Sequence, residues 1–433
     1  MKYCSRARWV TDKYILLMLG VFPLFVGFHG YSRITASKFW FFVVATSLWL
    51  LTAAVLMLIG RSRGERPTLE LRASHVALGL FLAVGGLSAV ASEYGAVCLA
   101  GGNRYDGYLT TVLYVLTFFG VSLLAVPRRR YAWAMGISAA ACCAIAVMQL
   151  FGMDPFRLYP TGTNYYDKYV AYNSAFLGTI GNTGLLAAYL CLAAPLLTVW
   201  AIRAQKRIDR LLAIPAALAL AMLLLCDVDA GLVALMGCAL VSVPVCIRNK
   251  RAARIAACVS LGLVVIGLAA VWFWPGQSGT VYEMSQLLRG NLADEFGSHR
   301  GEIWKQGWRL FREKPWLGGG PGTTAMRFDI RWYSEVRGTT AVVTNAHNVY
   351  LGYLINTGLL GLLPYLGAIG CSLVTWLRRR GEGEGYPALG AAFLCYLIQD
   401  FFGLGLAISA PMLWVIWGLL ESGETGELDP PEK

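Results

Sequence analysis

Charged residues are scarce in this chain. Only 14% of its 433 residues are Asp, Glu, Lys or Arg, whereas 57% are hydrophobic. A soluble domain of this size cannot bury so much apolar surface in one core, so the composition excludes an ordinary soluble protein. We therefore predict an all-α integral membrane protein, folded as a single multi-spanning membrane domain over residues 1–433.

The chain also lacks the marks of several other protein classes. Apart from Cys98, its 11 cysteines lie in or beside apolar segments, so no disulfide framework is indicated. The adjacent Cys142 and Cys143 lie inside an apolar segment, where cysteine usually packs as a small hydrophobic residue. The glycine-rich WLGGGPG at 316–322 lacks the Lys-Ser/Thr of a nucleotide-binding loop, which favours a simple turn.

Long apolar segments are, by contrast, abundant. Crossing about 30 Å of hydrocarbon takes roughly 20 residues of helix. We predict about twelve transmembrane helices, near residues 14–31, 39–60, 73–91, 108–126, 131–151, 175–200, 211–226, 231–247, 255–274, 347–377, 387–402 and 405–420. No small-residue cleavage site follows the first segment, which we interpret as a retained helix rather than a signal peptide.

Lysine and arginine residues predict the orientation, because cytoplasmic connections are enriched in both. Most of the 37 basic residues lie in the two tails and in alternate connections such as PRRRY and RNKRAAR. Both termini are therefore predicted to be cytoplasmic, in a multi-pass protein of the inner or plasma membrane. The short connections on the other side carry only Arg33, Lys38, Arg104, Arg157 and Lys168.

The long connection 275–346, between predicted helices 9 and 10, departs from this pattern. The predicted topology places it outside, although it is rich in basic residues. We interpret it as a large external loop that forms a small subdomain. Its basic residues are Arg289, Arg300, Lys305, Arg309, Arg312, Lys314, Arg327, Arg331 and Arg337.

An amphipathic helix is predicted within this loop. In RGEIWKQGWRLFREK, residues 300–314, apolar residues recur at helical spacing opposite basic ones, and Pro315 ends the pattern. Such a helix either lies in the headgroup layer, where Trp and Arg are favoured, or packs on the helix bundle as a lid. The sequence does not choose between these two positions.

His347 stands at the start of an otherwise apolar segment, TNAHNVYLGYLINTGLLGL. We predict that Thr344 or Asn345 caps a helix with His347 in its first turn. At 100° per residue, one face of that helix would carry His347, Tyr350, Leu351, Leu354, Gly358 and Gly361, and the glycines would admit a neighbouring helix. The helix dipole would keep the imidazole neutral, and therefore able to accept a proton. The alternative is a histidine that only forms hydrogen bonds at the interface.

Arginines on the same side of the membrane favour the chemical role. Fixed cations beside a base suit a substrate with a phosphate leaving group. Arg300, at the start of the amphipathic helix, is the strongest candidate. Its alternative role is contact with lipid headgroups.

These segments resemble the O-antigen ligase and polymerase superfamily. HNVYLGYLINTGLLGL looks like that family's His-Asn-x-x-Leu…Gly-x-x-Gly signature, and RGEIWKQGWRLFREKPWLGGGPGT is similar to its Arg-x-x-Ile-Trp…Pro-x-x-Gly-x-Gly segment. NRYDGYLTTVLYVL (103–116) resembles the Arg-x-x-Gly start of the fourth span, and FLGTIGNTGLLAAYLCLAAPL (176–196) resembles the Gly-x-x-Gly-Asn start of the sixth. Together these stretches are spread over most of the chain.

The resemblance implies a membrane glycosyltransferase of the GT-C type. Its donor would be an undecaprenyl-diphosphate-linked glycan, and its acceptor a glycan, lipid or protein, with no cofactor, metal or nucleic acid involved. His347 would activate the acceptor hydroxyl. In this picture Arg300, Arg104, Arg289 and Arg327 would bind the diphosphate, and Asn348, Tyr350 and Trp304 would contact the substrate. Asn345 would support the site from behind these residues. Asp400, at the predicted outer end of the eleventh span, would orient His347 or pair with an arginine, and its alternative role is a structural ion pair. The external loop contains no Asp-x-Asp metal motif, which agrees with a reaction that needs no metal ion.

One segment departs from the family pattern. Many members carry Ser-Arg-Gly between the seventh and eighth spans, whereas this chain has CDVDAG, with Asp227 and Asp229. An expected arginine is therefore missing. Either another arginine of the loop replaces it, or the substrate differs, or the activity is impaired.

A twelve-helix secondary transporter or polysaccharide exporter is the alternative function. Transport sites place ionisable residues near the bilayer midplane, preferably in matching positions of two repeats. Here the ionisable residues gather at the predicted outer boundary, and the long loop occurs once. This distribution favours a transferase, but it leaves ligase and polymerase open.

Overall fold

The computed structural model describes residues 2–65, 70–102, 104–159, 176–294, 296–328 and 343–423. In this part of the chain every regular element is a helix and no strand is present. The all-α prediction is thereby confirmed.

The helices that matter here are numbered in chain order. They are α1 (Lys2–Leu16), α2 (Ile34–Ser62), α3 (Ala73–Ala91), α4 (Val97–Ala100), α5 (Tyr108–Leu124), α6 (Arg129–Leu150), α7 (Thr183–Arg203), α8 (Ala213–Leu225), α9 (Asp229–Cys246), α10 (Lys250–Trp272), α11 (Thr280–Leu288), α12 (Phe296–Glu313), α13 (Thr324–Arg327), α14 (Val349–Arg379), α15 (Gly385–Asp400) and α16 (Ala410–Glu421).

Eight of the described helices are long and apolar enough to cross a membrane. They correspond to α2, α3, α6, α7, α8 with the turn before it, α9, α10 and α14. The other four predicted segments overlap α1, α5, α15 and α16, which are shorter helices of 12 to 17 residues. The multi-spanning class is therefore confirmed, while the count of twelve stays a prediction.

The first predicted span begins earlier than expected and is not one regular helix. After α1 the chain continues through a π-helical turn and a 3₁₀ turn to Leu24. Lys38, assigned above to an external connection, lies instead in α2, where it is fully buried. Its ammonium donates to the carbonyl oxygens of Phe22 and Pro23, both at 3.0 Å. The lysine therefore satisfies carbonyls that the irregular turn leaves without helical partners.

The centre of the bundle is formed by α7, α15 and α16. Nearly all residues of α16 and most residues of α7 and α15 are buried. By contrast, α10 has no buried residue, although it is strongly apolar. An apolar helix that exposes its whole surface is typical of one that faces lipid.

The long helix α14 is broken at Gly358, whose backbone is left-handed and extended (φ 65°, ψ −169°). The turn Pro315–Gly320 fills the break. The amide of Leu359 donates to the Pro315 carbonyl at 2.9 Å, and the amide of Gly319 donates to the Ile355 carbonyl at 3.0 Å. The prediction that Gly358 admits a neighbouring helix was wrong, because a glycine-rich turn occupies that place. This turn is the WLGGGPG segment, and it supplies the partners that broken backbone requires.

The amphipathic helix α12 packs on α14. A Cβ added at Gly307 would lie 2.9 Å from Ile355 and 3.1 Å from Leu351, so the glycine permits this close approach. Ile303 and Leu310 are buried on the same side, whereas Trp308 is 52% exposed on the other. Of the two positions that the sequence left open, the described contacts are those of a helix held against the bundle.

Candidate active site

Three segments that are distant in sequence meet beside the start of α14. The backbone of Gly322, in the glycine-rich turn, lies against Gly101 and Gly107, because a Cβ at Gly322 would come within 2.9 Å of the Gly101 Cα. Gly322 has φ +69°, which also favours glycine. The turn thus touches both the segment before α5 and the first half of α14, which brings three of the four family-like stretches together.

The fourth family-like stretch has a structural place of its own. Asn182 caps α7, since its side-chain oxygen accepts from the Leu185 amide at 2.9 Å. Gly181 packs against Ile34 and Tyr31 at the start of α2. This stretch therefore orders the connection into the central helix.

A small pocket of about 90 Å³ opens where the three segments meet. That volume is below the ~300–1,000 Å³ of a typical small-molecule site, so it accommodates only part of a ligand. Polar side chains from α5, α13 and α14 line it together with the backbone of residues 403–406. Its polar lining residues are Asp106, Thr110, Thr111, Tyr114, Thr324, Asn345, His347, Asn348, Tyr353 and Asn356.

His347 lies in this pocket, immediately before α14 rather than within its first turn. Its φ is +48°, and its amide donates to the Asn345 side-chain oxygen at 3.1 Å. The cap of α14 is Asn348, whose side-chain oxygen accepts from the Leu351 amide at 2.9 Å. The predicted cap at Thr344 or Asn345 was therefore wrong. Asn345 instead holds the backbone turn that presents the imidazole.

The neutrality of His347 has a different cause from the predicted one. Burial, followed by the positive charges of Arg300 and Arg104, lowers the pKa of His347 to about 4. Because that pKa lies well below 7, the imidazole is neutral at physiological pH and can accept a proton. The prediction of a neutral histidine agrees with this, but desolvation and two arginines produce it rather than the helix dipole.

Arg300 lies in the first turns of α12 and faces both His347 and Asp229. Burial lowers the pKa of its guanidinium, and the Asp229 carboxylate opposes that shift. Among the described residues Arg300 forms no hydrogen bond and no ion pair within 4 Å. A desolvated guanidinium in that state is suited to a bidentate anion such as phosphate.

Arg104 lies in the segment before α5, close enough to act on both His347 and Asp106. Burial raises the pKa of Asp106, while its own backbone amide and Arg104 oppose the rise. Asp106 was not selected from the sequence, although it belongs to the same RYDG motif as Arg104. The sequence signal that could have identified Asp106 is its position inside the Arg-x-x-Gly motif, two residues after Arg104.

The other two predicted diphosphate ligands lie in structural contacts. The Arg327 guanidinium donates to the carbonyls of Ile355 (2.8 Å) and Leu310 (3.2 Å), and so links α14 to α12 near the break. Arg289 follows α11 and donates to the Trp272 carbonyl at 2.5 Å, at the end of α10. These contacts bring neither residue to His347.

Two residues predicted to contact the substrate, Trp304 and Tyr350, instead hold the backbone around His347 in place. The Trp304 indole donates to the Ala346 carbonyl at 3.0 Å and packs on Phe401 and Phe402. The Tyr350 hydroxyl donates to the Leu397 carbonyl at 2.7 Å and so ties α14 to α15. Trp304 therefore fixes the residue next to His347, and Tyr350 fixes the first turn of the helix.

Asp400 was expected to orient His347 or pair with an arginine, and Asn345 to support the site. Asp400 is buried at the end of α15, and its Oδ1 has no hydrogen-bond partner among the described residues. Its electrostatic neighbours include Tyr350 and Tyr353, so the expected pairing with His347 or an arginine is not what the structure shows. Asn345 does support His347, and its Nδ2 is a buried donor without a partner in the described chain.

The segment CDVDAG, which replaces the Ser-Arg-Gly of the resembling family, lies close to Arg300. Asp229 begins α9 and accepts from the Thr280 hydroxyl at 3.2 Å, and its charge acts on Arg300. Where many members of the resembling family carry an arginine, this chain therefore places a carboxylate beside Arg300. Two positive charges, those of Arg300 and Arg104, act on His347.

Comparison with known protein families supports the superfamily that the sequence motifs predict. Residues 214–366 match the family model Wzy_C, described as O-antigen ligase, which spans about a third of the chain. Residues 214–366 are therefore similar to an O-antigen ligase domain. The matched range contains α12, the glycine-rich turn, Arg300 and His347, and it excludes Arg104. No curated protein matches the chain.

The O-antigen ligase family indicates a ligase or polymerase type of enzyme in polysaccharide biosynthesis. Such an enzyme acts on a lipid-linked glycan at the inner membrane, which agrees with the multiple membrane-spanning helices. The sequence prediction of the superfamily is thereby confirmed.

Asn348 provides a test of the local architecture. We expect Asn348→Ala to lower the free energy of unfolding by about 1 kcal/mol, because the first amides of α14 lose their cap. Asn348→Ser should retain most of that stability, since serine also caps. Thermal unfolding of the purified variants in detergent measures the difference, and equal stability of the two would show that the cap is unimportant.

Proposed function

We propose that this protein transfers a glycan from undecaprenyl diphosphate to an acceptor hydroxyl on the external face of the membrane. The observation that supports it best is a neutral His347 in a pocket, faced by Arg300 and Arg104 from two other segments of the chain. This arrangement combines a proton acceptor with fixed positive charge, the two groups that displacement of a diphosphate requires.

In the proposed reaction the acceptor hydroxyl loses its proton to an imidazole nitrogen of His347. The hydroxyl oxygen forms a bond to the anomeric carbon of the donor sugar, and the bond between that carbon and the phosphate oxygen breaks. The electron pair of the broken bond leaves with undecaprenyl diphosphate. Arg300 and Arg104 stabilise the charge that develops on this leaving group, which is the role a metal ion has in other glycosyltransferases.

Donor binding also prepares the base. Burial, with a further contribution from Arg300 and Arg104, lowers the pKa of His347 to about 4 in the free protein, which makes the imidazole a weak proton acceptor. A diphosphate bound between the arginines offsets their charge and raises the pKa of the histidine. The base therefore becomes stronger when the leaving group is in place, and water is less readily activated in its absence.

The smaller pocket groups fit the acceptor. The unpartnered Nδ2 of Asn345 can donate to a sugar oxygen, and the Thr324 hydroxyl donates to the Asn356 side-chain oxygen at 3.0 Å, which holds that amide toward the pocket. Asp106 adds an acceptor on the opposite wall. Such convergent donors and acceptors are typical of a site that binds hydroxyl groups.

The test is transfer by the purified protein in liposomes that contain a lipid-linked glycan. Three acceptors are compared: lipid A core, a second lipid-linked repeat, and a protein with exposed serine hydroxyls. The proposal expects a new glycosidic bond with one of them, release of undecaprenyl diphosphate, and the same rate in a metal chelator. Movement of intact donor across the bilayer without any new bond would instead identify a transporter.

The proposed orientation has a separate test. We expect a single cysteine at Ser278, between α10 and α11, to react with an impermeant thiol reagent in intact cells. A cysteine at Ser62, at the end of α2, should react only after the membrane is opened. Both are placed in a variant without Cys258, which is exposed in α10. The reverse pattern would put His347 on the cytoplasmic side and contradict the proposal.

A further inference from the structure

A second cavity lies at the other end of α14, opposite His347. It is a groove of about 820 Å³ between the last turns of α14, the start of α3 and the end of α16. The glycines Gly367 and Gly370 line it, and a Cβ added at either would meet no atom within 4 Å. The groove is thus open along α14 for the length of about one helical turn.

Two buried polar atoms in this groove have no partner among the described residues. They are the hydroxyl of Ser74, at the start of α3, and Oε1 of Glu421, at the end of α16. Both residues are almost fully buried, at 0% and 1% exposure. An unpaired buried carboxylate oxygen is costly, so a hydrogen-bond donor is expected to occupy the space beside it.

The arginines of the groove differ in their availability. Arg379 is occupied, because it donates to Glu382 at 2.7 Å and to the Ser422 carbonyl. Arg378 is exposed, lines the groove and has no hydrogen bond or ion pair among the described residues. Arg72 lies 3.5 Å from Oε2 of Glu421, which leaves Oε1 unpaired. The groove therefore offers a phosphate ligand, Arg378, and an unpaired carboxylate oxygen, Oε1 of Glu421, at separate places.

From these groups we infer a binding site for an aminophospholipid, with phosphatidylethanolamine as its chemical type. The lipid phosphate accepts from Arg378 and from the Ser74 hydroxyl. The primary ammonium donates to Oε1 of Glu421, and one acyl chain lies against the small residues of α14.

The charges of the groove select this headgroup over the two common alternatives. A phospholipid with no ammonium would leave Oε1 of Glu421 without a donor and bring a second negative charge near it. A quaternary ammonium, as in phosphatidylcholine, carries the same charge as ethanolamine but has no N–H to donate. Of these three headgroups, only a primary amine beside a phosphate supplies a donor to Oε1 of Glu421 and an acceptor to the Ser74 hydroxyl.

Native mass spectrometry of the delipidated full chain tests the site with three lipids that share the same acyl chains. We expect phosphatidylethanolamine to bind roughly tenfold more tightly than phosphatidylcholine, because a charge-assisted hydrogen bond distinguishes them. In Glu421→Gln that preference should disappear while phosphatidylcholine binding stays the same, which also reports that the protein is folded. Arg378→Ala should weaken both lipids alike.

Glu313→Gln serves as the matched control, because Glu313 lies in α12 and should leave the preference intact. Three results would overturn the inference: equal binding of the ethanolamine and choline lipids to the unmodified protein, a preference that persists in Glu421→Gln, or phosphatidylglycerol binding as tightly as phosphatidylethanolamine. The last would identify a simple anion site. None of these results depends on glycan transfer.

Discussion

Replacement of His347 by Asn is expected to lower glycan transfer by about 10²–10⁴-fold, the usual contribution of a positioned general base. The imidazole is neutral and lines the pocket, and Arg300 and Arg104 face it. An asparagine amide cannot accept the acceptor's proton. Transfer by the purified variant in liposomes measures the loss, and lipid-linked donor should accumulate in cells that carry it.

Asparagine is the better replacement because of the backbone at this position. His347 has φ +48°, a region that asparagine tolerates and alanine disfavours. His347→Ala should lose the same activity but also some stability. If His347→Asn kept most of the transfer rate while folding normally, the histidine would be structural, and the base would have to be another group of the pocket such as Asp106.

The pH dependence of transfer should carry the signature of this histidine. Its pKa of about 4 in the free protein predicts that kcat/KM for the donor falls only as the pH drops toward 4, because protonation then removes the base. The fall in kcat should occur at a higher pH, since the bound diphosphate offsets the arginines. Arg104→Gln removes one cation and should move the kcat/KM limb upward. If kcat and kcat/KM fell at the same pH, donor binding would not raise the pKa of His347, which would contradict the proposal.

The sequence predicts the positions of the apolar helices well because their signal is local. An apolar run long enough to cross hydrocarbon needs no tertiary information, and each predicted span overlaps a helix of the structure. The capping residue of α14 was predicted wrongly because its choice depends on contacts with distant parts of the chain. The segment TNAHN offers several residues able to cap a helix, and the choice of Asn348 accompanies a contact from elsewhere, the Trp304 indole on the Ala346 carbonyl.

The roles of the arginines were only partly predictable for a related reason. Sequence gives the charge of a side chain but not its partner. The guanidinium of Arg327 binds the carbonyl of Ile355, which has lost its helical partner at the break near Gly358 and also accepts from the Gly319 amide. Nothing in the sequence around Arg327 indicates that break. The role of Arg300 was easier to predict, because α12 packs on α14 and so places Arg300 near His347.

Replacement of Arg300 by Ala is the second change with a large expected effect. The guanidinium is close enough to His347 to act on its charge, and among the described residues it has no hydrogen-bond partner, so it is free to bind the diphosphate. Loss of one donor to a developing anion typically costs about 10²–10³-fold in rate. Arg300→Lys keeps the charge but loses the bidentate geometry, and should recover only part of the activity.

Arg309 provides the matched control on the same helix. Its side chain is 75% exposed and pairs with Glu313 along the surface of α12, so Arg309→Ala removes a positive charge without reaching the pocket. We expect it to change transfer little, because exposed ion pairs contribute about 0–1 kcal/mol. Kinetics with purified donor separate the two roles. If Arg300→Ala and Arg309→Ala lowered the rate equally, Arg300 would act through the general charge of the helix, and the leaving group would have to be stabilised by Arg104 alone.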